Sequence, residues 1–407
     1  MATGNIHKAC FVGLGYVGLP TAVIAASEGD CEILGVDVNP SIVEMTNSGR
    51  LHFVEQGLES LLQSVIKGGK FHASITPEIS DAYFIVVPTP LNSDRTPDVS
   101  YVEAATESVI PLLKPGDLFI IESTSPVGTT NRMAELIFSK RSELKDKIFI
   151  AYCPERVLPG NMIYELVHND RVIGGINEES AVKAEQFYSQ FVKGVLHRTD
   201  AKTAELCKLV ENSSRDVQIA YATEISLICE REEINVWELI ALANRHPRVN
   251  ILKPGCGVGG HCIAVDPYFI ASTYPNEARL ISKAREVNKF KTMWVIERIK
   301  NAILEFEKRE LRLPCVALMG LAFKPDIDDL RESPAEVVVS HLLDSCADVR
   351  FKVSEPNLKR YDKYMLSDYR EAYDNSDIVV FLTAHKEFKR LSFDNTKVIL
   401  DFCGALV

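Results

Sequence analysis

Between Lys253 and Pro267 the chain reads Lys-Pro-Gly-Cys-Gly-Val-Gly-Gly-His-Cys-Ile-Ala-Val-Asp-Pro, with Gly255, Gly257, Gly259 and Gly260 inside six positions. Such a run lets the backbone turn tightly and approach a ligand closely. It ends on Cys262, with a carboxylate, Asp266, four residues later. Asp266-Pro267 opens a helix, with Asp266 expected as N-cap and Pro267 at the first helical position. A thiol on a loop beside a helix N-terminus can have a lowered pKa and act as a nucleophile. Two other readings use the same residues: a glycine-rich hairpin whose cysteine only packs, and a metal site of Cys256, His261, Cys262 and Asp266. The metal reading lacks a second ligand cluster at suitable spacing. A further pair, Lys208 and Asn212, is spaced i, i+4 and so shares one helix face. Its bland alternative is a solvated charged face.

These residues need elements to hold them. Lys8–Val12 reads as a buried strand running into Gly13-Leu-Gly15-Tyr-Val-Gly18, followed by an apolar helix over Thr21–Ser27. A second strand, Glu32–Val36, ends on Asp37, nineteen residues after Gly18. Strand, G-x-G-x-x-G, helix, strand and acid form the dinucleotide fingerprint in its required context. The glycines let a pyrophosphate reach the helix N-terminus. Asp37 is expected on the ribose 2′-hydroxyl, where it repels a 2′-phosphate and favours NAD over NADP.

The α/β alternation continues through Asp81–Val87, Leu118–Ile121 and Ile148–Ala151, each ending in a polar loop: Pro88-Thr89-Pro90, Glu122–Gly128 and Tyr152–Gly160. Ligands bind at the carboxyl ends of parallel strands, so Thr124 and Glu155 are site candidates by position. Plain turn or cap roles are the alternative for both. Residues from Ala201 to about Val236 carry no glycine or proline and read as one helix of roughly 50 Å, long enough to bridge two domains. A second helix is expected from Asn276 to about Leu311. A new α/β series then begins at Cys315–Gly320, with strands at Val349–Val353, Asp377–Leu382 and Lys397–Leu400. It echoes the first half but lacks the three-glycine motif. Its first turn instead carries Lys324 and Arg331, which suit a diphosphate or pair with Asp326, Asp328 and Asp329.

A chain of 407 residues implies two or three domains. The net charge of −11 argues against a general nucleic-acid or anionic-membrane binder. No apolar run approaches the ~18 residues of a membrane helix, and the N-terminus lacks a signal-peptide profile. The ten cysteines are scattered without a C-x-x-C, which fits a reducing cytoplasm.

Taken together, Gly13-Leu-Gly-Tyr-Val-Gly18, Glu122-Ser-Thr-Ser-Pro-Val-Gly128, Lys208-Leu-Val-Glu-Asn212, Gly257–Asp266 and Gly320-Leu-Ala-Phe-Lys324 with Arg331-Glu-Ser resemble the UDP-glucose/GDP-mannose dehydrogenase family. The five motifs occur in the family's order and cover nearly the whole chain. The resemblance implies a fold of two Rossmann-like, doubly wound parallel-sheet domains joined by a central helical domain with a long bridging helix. It places an NAD-binding domain at residues 1–200, a helical dimerisation domain with the cysteine loop at 201–300, and a UDP-sugar-binding domain at 301–407. It implies four-electron oxidation of a nucleotide-sugar C6 alcohol by a soluble homodimer, without metal, nucleic-acid or membrane partners.

By the same resemblance Cys262 is the nucleophile and Lys208 and Asn212 stabilise the oxyanion; Asp266, Glu155 and Thr124 are the candidates for activating water, and the resemblance favours Asp266 and Glu155 without ranking them. Gly13, Gly15, Tyr16, Val17, Gly18, Asp37, Thr89, Thr124 and Arg331 fall on the NAD side. The sugar nucleotide falls to Glu155, Arg156, Val157, Lys208, Asn212, Gly259, His261, Phe323 and Lys324, with Arg248 reaching in from a partner subunit. The stretches around His261–Tyr268 and Asn244–Asn250 are similar to the branch acting on UDP-N-acetylhexosamines. That implies UDP-N-acetyl-D-mannosamine as substrate, with UDP-N-acetyl-D-glucosamine as alternative. The family's UDP-glucose branch usually carries a glutamate where this chain has Pro159, which disfavours UDP-glucose. Cys256 replaces a frequent proline and is read as having no role. A two-electron hydroxyacid dehydrogenase would need neither Cys262 nor the second α/β series. A non-catalytic sensor would not need Lys208, Asn212 and Cys262 together.

Asp37 yields a direct test. NAD⁺ is expected to be used at least about tenfold better than NADP⁺, since a carboxylate facing the 2′-position repels a phosphate there. Comparable kcat/KM for the two cofactors removes this role from Asp37.

Overall fold

Short apolar runs bounded by polar loops become strands of parallel sheets, because strands covered on both faces need no polar alternation. The computed structural model describes residues 6–157, 160–392 and 394–406. The chain divides into two compact units that part after Val210, inside one helix.

The first unit holds β1 (Lys8–Val12), β2 (Glu32–Val36), β3 (Phe71–Ser74), β4 (Ala82–Ile85), β5 (Leu118–Ile121), β6 (Phe149–Tyr152), β7 (Arg171–Gly175) and β8 (Leu196–Asp200). Their order in the sheet is β3-β2-β1-β4-β5-β6-β7-β8. Neighbours are parallel except β6 and β7, which are antiparallel. Strands β3, β7 and β8 carry weaker apolar signals and were not expected from the sequence. No residue of β8 is fully buried, which explains its weak apolar signal. In the centre Phe11 of β1 stacks on Phe84 of β4 with ring centroids 4.2 Å apart.

The second unit holds β9 (Cys315–Met319), β10 (Arg350–Ser354), β11 (Ile378–Phe381) and β12 (Val398–Asp401) in a fully parallel sheet of order β10-β9-β11-β12. This repeats the β2-β1-β4-β5 order of the first unit. The turns after the leading strands match as well. Gly13 N–H donates to the Val36 carbonyl at 2.7 Å, and Gly320 N–H donates to the Ser354 carbonyl at 2.8 Å. Both glycines have φ near +100°, at 104° and 95°. The doubly wound α/β class expected from the sequence is therefore present in both units.

Several helix boundaries differ from expectation, beginning with the first helix, which runs from Gly18 to Glu28. The helix begun at Ala201 ends at Arg231, short of Val236. Glu233 there adopts a left-handed φ of 56°, and Asn235 caps a separate helix, Val236–Ala243, through the Trp237 and Glu238 N–H groups. The long helix of the second unit starts at Arg279 and runs to Glu310. Asp266 is the first residue of the helix Asp266–Thr273, and the N-cap position is Val265. Its carboxylate accepts from Asn212 Nδ2 at 2.6 Å.

Candidate active site

In the first unit the expected site residues follow the carboxyl ends of the strands, where an open parallel sheet leaves a crevice beside the point of order reversal. The glycine turn fits a dinucleotide. A Cβ at Gly18 would meet the Gly13 carbonyl oxygen at 1.9 Å, so the helix packs against the turn only with glycine there. At Gly15 nothing lies within 4 Å, which leaves bare backbone facing open space for a pyrophosphate. Tyr16 stacks on Phe53 with centroids 4.5 Å apart and stays 41% exposed. Asp37 follows β2; its Oδ2 accepts the Leu14 N–H at 3.1 Å and its Oδ1 the Asn39 N–H at 2.9 Å. The carboxylate thus fixes the turn while remaining partly exposed. Val17 and Thr89 are likewise half-buried on this side.

Thr124 lies half-buried in the loop after β5. That loop ends where helix Thr129–Lys140 begins, and the orphan N–H groups of Gly128 and Thr130 both donate to Glu205, at 2.5 and 2.7 Å. Thr130 Oγ1 donates to the same carboxylate at 2.6 Å. Glu205 is fully buried and sits three residues before Lys208 on the long helix. It was not singled out in the sequence, although a charged residue on the helix face that carries Lys208 was a visible signal.

Glu155 follows β6 and is 9% exposed. Its Oε2 accepts from Arg171 Nη2 at 3.0 Å and its Oε1 from the Arg156 N–H at 2.6 Å. Arg171, itself buried, also faces Glu122 at 3.9 Å, and the Tyr188 hydroxyl donates to Glu122 at 2.5 Å. Glu155 is thus an ion-paired carboxylate within a buried Glu-Arg-Glu group. Arg156 Nη1 reaches the Asp170 carbonyl at 3.4 Å, and Val157 packs on the core. Pro159 lies outside the described residues.

In the second unit Cys262 is exposed. Its carbonyl accepts the Asp266 N–H at 2.8 Å and the Val265 N–H at 3.1 Å, which closes the turn into the helix. Asp266 is 3% exposed, and its Oδ2 accepts from Asn212 Nδ2 at 2.6 Å. One turn beyond Asn212, fully buried Asp216 accepts from Arg285 Nη1 at 2.6 Å and Asn288 Nδ2 at 2.8 Å. Arg285 Nη1 also reaches the Ile263 carbonyl, next to Cys262, at 3.4 Å. Lys208, Asn212 and Asp216 follow one another at i, i+4 spacing, so a single helical stripe carries all three. Asp216 and Arg285 were missed because a charge on a helix reads as solvated until its partner is known.

The glycine loop is pressed against the turn after β9. A Cβ at Gly259 would meet the Glu332 carbonyl oxygen at 2.5 Å and Phe323 Cβ at 2.8 Å, and the ring of Phe323 covers Gly260. Gly260 N–H donates to the Arg331 carbonyl at 3.2 Å. The Arg331 guanidinium pairs with Asp329 at 2.6 Å, the surface pairing weighed for it, whereas Lys324 is exposed and His261 is exposed beside Cys262. Arg248 lines a separate groove of about 530 Å³ with Val217, Tyr221, Val249 and Leu280. Cys256 is buried, its thiol pushed up to about 12 by burial, and its Sγ donates to the Leu382 carbonyl at 3.1 Å. It serves as a packing and hydrogen-bonding residue, which removes one ligand from the four-residue metal reading.

Comparison with known proteins gives three matched segments. Residues 7–192 match the NAD binding domain of the UDP-glucose/GDP-mannose dehydrogenase family, residues 202–290 its central domain and residues 317–406 its UDP binding domain. A UDP-N-acetyl-D-mannosamine dehydrogenase of Campylobacter jejuni is 48% identical over 98% of this chain and 100% of the relative. An NDP-N-acetyl-D-galactosaminuronic acid dehydrogenase of Ralstonia nicotianae is 46% identical over 97% of this chain and 95% of the relative. Among solved structures, a UDP-N-acetyl-mannosamine dehydrogenase from S. aureus superposes with a TM-score of 0.87 at 37% identity, covering 98% of this chain and 99% of that one. No helix among the described residues is long and apolar enough to cross a membrane.

The buried Glu-Arg-Glu group carries a pH signature. Burial holds the Glu122 carboxyl up to about 7, with Arg171 opposing this and Glu155 adding repulsion. The native state therefore keeps a proton that an unfolded carboxyl, near 4.5, gives up. The stabilising difference is full below that value and is lost as pH rises through about 7. Glu122→Gln, which retains an oxygen for Tyr188, is expected to flatten the decline in stability across this window by on the order of 1–3 kcal/mol. Denaturant unfolding at the two ends of the window measures it, and parallel curves for parent and variant refute it.

Proposed function

Since the chain belongs to the UDP-glucose/GDP-mannose dehydrogenase family and is an NAD-dependent nucleotide-sugar dehydrogenase, we propose that it oxidises the C6 alcohol of UDP-N-acetyl-D-mannosamine to the uronic acid. The observation that carries the chemistry is the Asn212–Asp266 hydrogen bond in the turn whose first carbonyl is that of Cys262. It commits a buried carboxylate and a helix-borne amide to the immediate neighbourhood of an exposed thiol.

NAD⁺, when bound, accepts one hydride in each of two successive oxidations. Residues Gly13, Gly15 and Gly18 with Asp37 are read as its cradle, with Tyr16, Val17, Thr89 and Thr124 beside it. The first oxidation leaves an aldehyde that must not escape. Cys262, as thiolate, adds to the aldehyde carbon and forms a thiohemiacetal. Loss of the second hydride from that carbon leaves a thioester, and water cleaves it to carboxylate and thiol. Each stage passes through an oxyanion that needs preorganised donors. Lys208 and Asn212, one turn apart, are assigned to it, and Lys208 to the first hydroxyl proton. Asp266 is favoured for the water, because it shares the turn with Cys262; Glu155 and Thr124 are the other candidates. Arg156, Val157, Gly259, His261, Phe323 and Lys324 are read as contacts to the sugar nucleotide, and Arg331 as an NAD-side residue. The domain roles follow the order NAD binding, helical middle and UDP-sugar binding.

The sugar assignment rests on the branch resemblance around His261–Tyr268. A relative named for an N-acetylgalactosaminuronic acid at 46% identity keeps a galacto-configured substrate as the second reading. NADH formation is to be screened over UDP-N-acetyl-mannosamine, -glucosamine and -galactosamine, UDP-glucose and GDP-mannose. Fastest turnover of UDP-glucose overturns the acetamido assignment.

Assembly is read as a homodimer through the helical middle, with Arg248 acting in the partner's site. Tyr221, Ile228, Leu280, Phe290 and Met293 are all exposed along the two long helices, an unusual apolar load for a free surface. Light scattering at micromolar concentration returning a monomer refutes this. A reducing cytoplasm suits a chain whose ten cysteines are all unbridged.

Cys262→Ser separates the two oxidations. A serine alkoxide is far harder to form near neutral pH than a thiolate. The variant is expected to stall after no more than about one NADH per site, whereas Lys208→Ala slows both hydride steps by on the order of 10² to 10³. Multiple-turnover uronic acid formation by Cys262→Ser at near the parent rate removes the thioester and returns the loop to a packing role.

A further inference from the structure

The turn after β9 repeats the turn after β1, yet the acid that follows the neighbouring strand has a different fate. Asp37, after β2, accepts two N–H groups and stays partly exposed. Glu355, after β10, is 3% exposed and accepts from five donors. Leu321 N–H, Ala322 N–H and His385 Nε2 reach its Oε2 at 2.7, 3.0 and 2.9 Å. The Asn357 N–H and Nδ2 reach its Oε1 at 3.0 and 3.1 Å. Among the described residues no lysine or arginine pairs with this buried carboxylate, which is held by N–H donors. A carboxylate so occupied has no lone pair left for a ribose hydroxyl.

His385 is fully buried and follows β11. Two donors face its Nδ1: the Asp326 N–H at 2.9 Å and Asn357 Nδ2 at 2.9 Å. Nδ1 is therefore the acceptor, and Nε2 carries the hydrogen given to Glu355. Both ring nitrogens are used, so the nearby group of Asp326, His385 and Glu387 is not free to take a metal ion through the imidazole. Asp326 is held at a left-handed φ of 62°, a strained state for a non-glycine residue. Its carboxylate accepts the Lys386 N–H at 3.0 Å, so the residue is gripped at both ends.

We propose that Glu355 and His385 are positioning residues for nucleotide binding: Glu355 clamps the start of the turn at Leu321 and Ala322, His385 clamps it at Asp326, and the pair holds Phe323 and Lys324 between them in their binding posture. The proposal rests on the reading that Lys324 contacts the sugar nucleotide. The clamp occupies the carboxyl edge of the second sheet, where its strand order reverses at β9, the location at which open parallel sheets take ligands. Phe323 also packs on Gly259 and Gly260, so the clamped turn is the surface against which the cysteine loop is set.

The two imidazole contacts can be separated by substitution. In His385→Asn the side-chain oxygen falls near the Nδ1 position and still accepts the Asp326 N–H. In His385→Gln the amide falls near Nε2, keeps Glu355 and leaves the Asp326 N–H without its acceptor. UDP binding by calorimetry, kinetics with the nucleotide sugar and amide exchange of Leu321–Asp326 are measured on the full-length protein. His385→Gln is expected to weaken UDP about tenfold, raise KM for the nucleotide sugar similarly and speed exchange in the turn. Its kcat and its KM for NAD⁺ are expected within about twofold of the parent, the pattern of lost uniform binding. His385→Asn is expected to restore UDP binding to within about threefold. Equal losses in both variants, or unchanged UDP affinity in His385→Gln, overturn the proposal, and a shared drop in melting temperature alone marks packing. Lys324→Ala tests the underlying reading separately. If it leaves UDP affinity unchanged while His385→Gln weakens it, the clamp stands and the Lys324 contact falls; the reverse result sinks the clamp and keeps the contact.

Discussion

Backbone N–H groups left over at the ends of parallel strands and at helix starts need acceptors, and this protein meets that need with carboxylates. Asp37 takes the Leu14 and Asn39 N–H groups, Glu205 those of Gly128 and Thr130, Glu355 those of Leu321, Ala322 and Asn357. Asp401 takes four at the chain's last turn, Cys403 to Leu406. Losing such a carboxylate strands its donors, at about 1–3 kcal/mol for each one that is buried. Several loops that carry chemistry are thus fixed by side chains from other elements, as the Leu14 turn is by Asp37, the Gly128 turn by Glu205 and the Leu321 turn by Glu355.

The same device gives two related units different duties. In the first, Gly15 faces open space and Asp37 keeps an exposed edge, so backbone and acid remain available to a dinucleotide. In the second, alanine and phenylalanine follow the matching glycine-leucine pair, and Glu355 is sealed by five donors. What that turn offers outward is Lys324. One strand-turn-strand plan therefore supplies a pyrophosphate cradle in one place and a cation-bearing turn in the other.

The helix Ala201–Arg231 is the spine on which the reactive groups are indexed. Glu205 fastens its beginning within the first unit, and Asn212 and Asp216 fasten its continuation within the second. Breaking a buried pair such as Asp216–Arg285 by removing one partner costs about 3–5 kcal/mol, because a charge is left uncompensated. Ile263, tied to Arg285, brings the cysteine turn under the same control.

The sequence alone determined the strand-glycine-helix-strand-acid order of the first unit, the second α/β series and the presence of Cys262, Lys208 and Asn212 at meaningful spacings. These are local signals: a glycine demanded by a turn, an apolar run covered on both faces, a four-residue helical step. Only tertiary structure decided what the carboxylates do. Glu155 was legible as a loop residue but not as the partner of Arg171, and Asp266 was legible as a helix start but not as the acceptor for Asn212. Glu205, Asp216, Arg285, Glu355 and His385 passed as ordinary polar residues, and the long helix was overrun by a few residues because nothing in its composition marks the left-handed Glu233. The physical reason is common to all of them. Whether a charge is solvated or buried depends on partners tens of residues away, and only folding brings those partners within 3 Å.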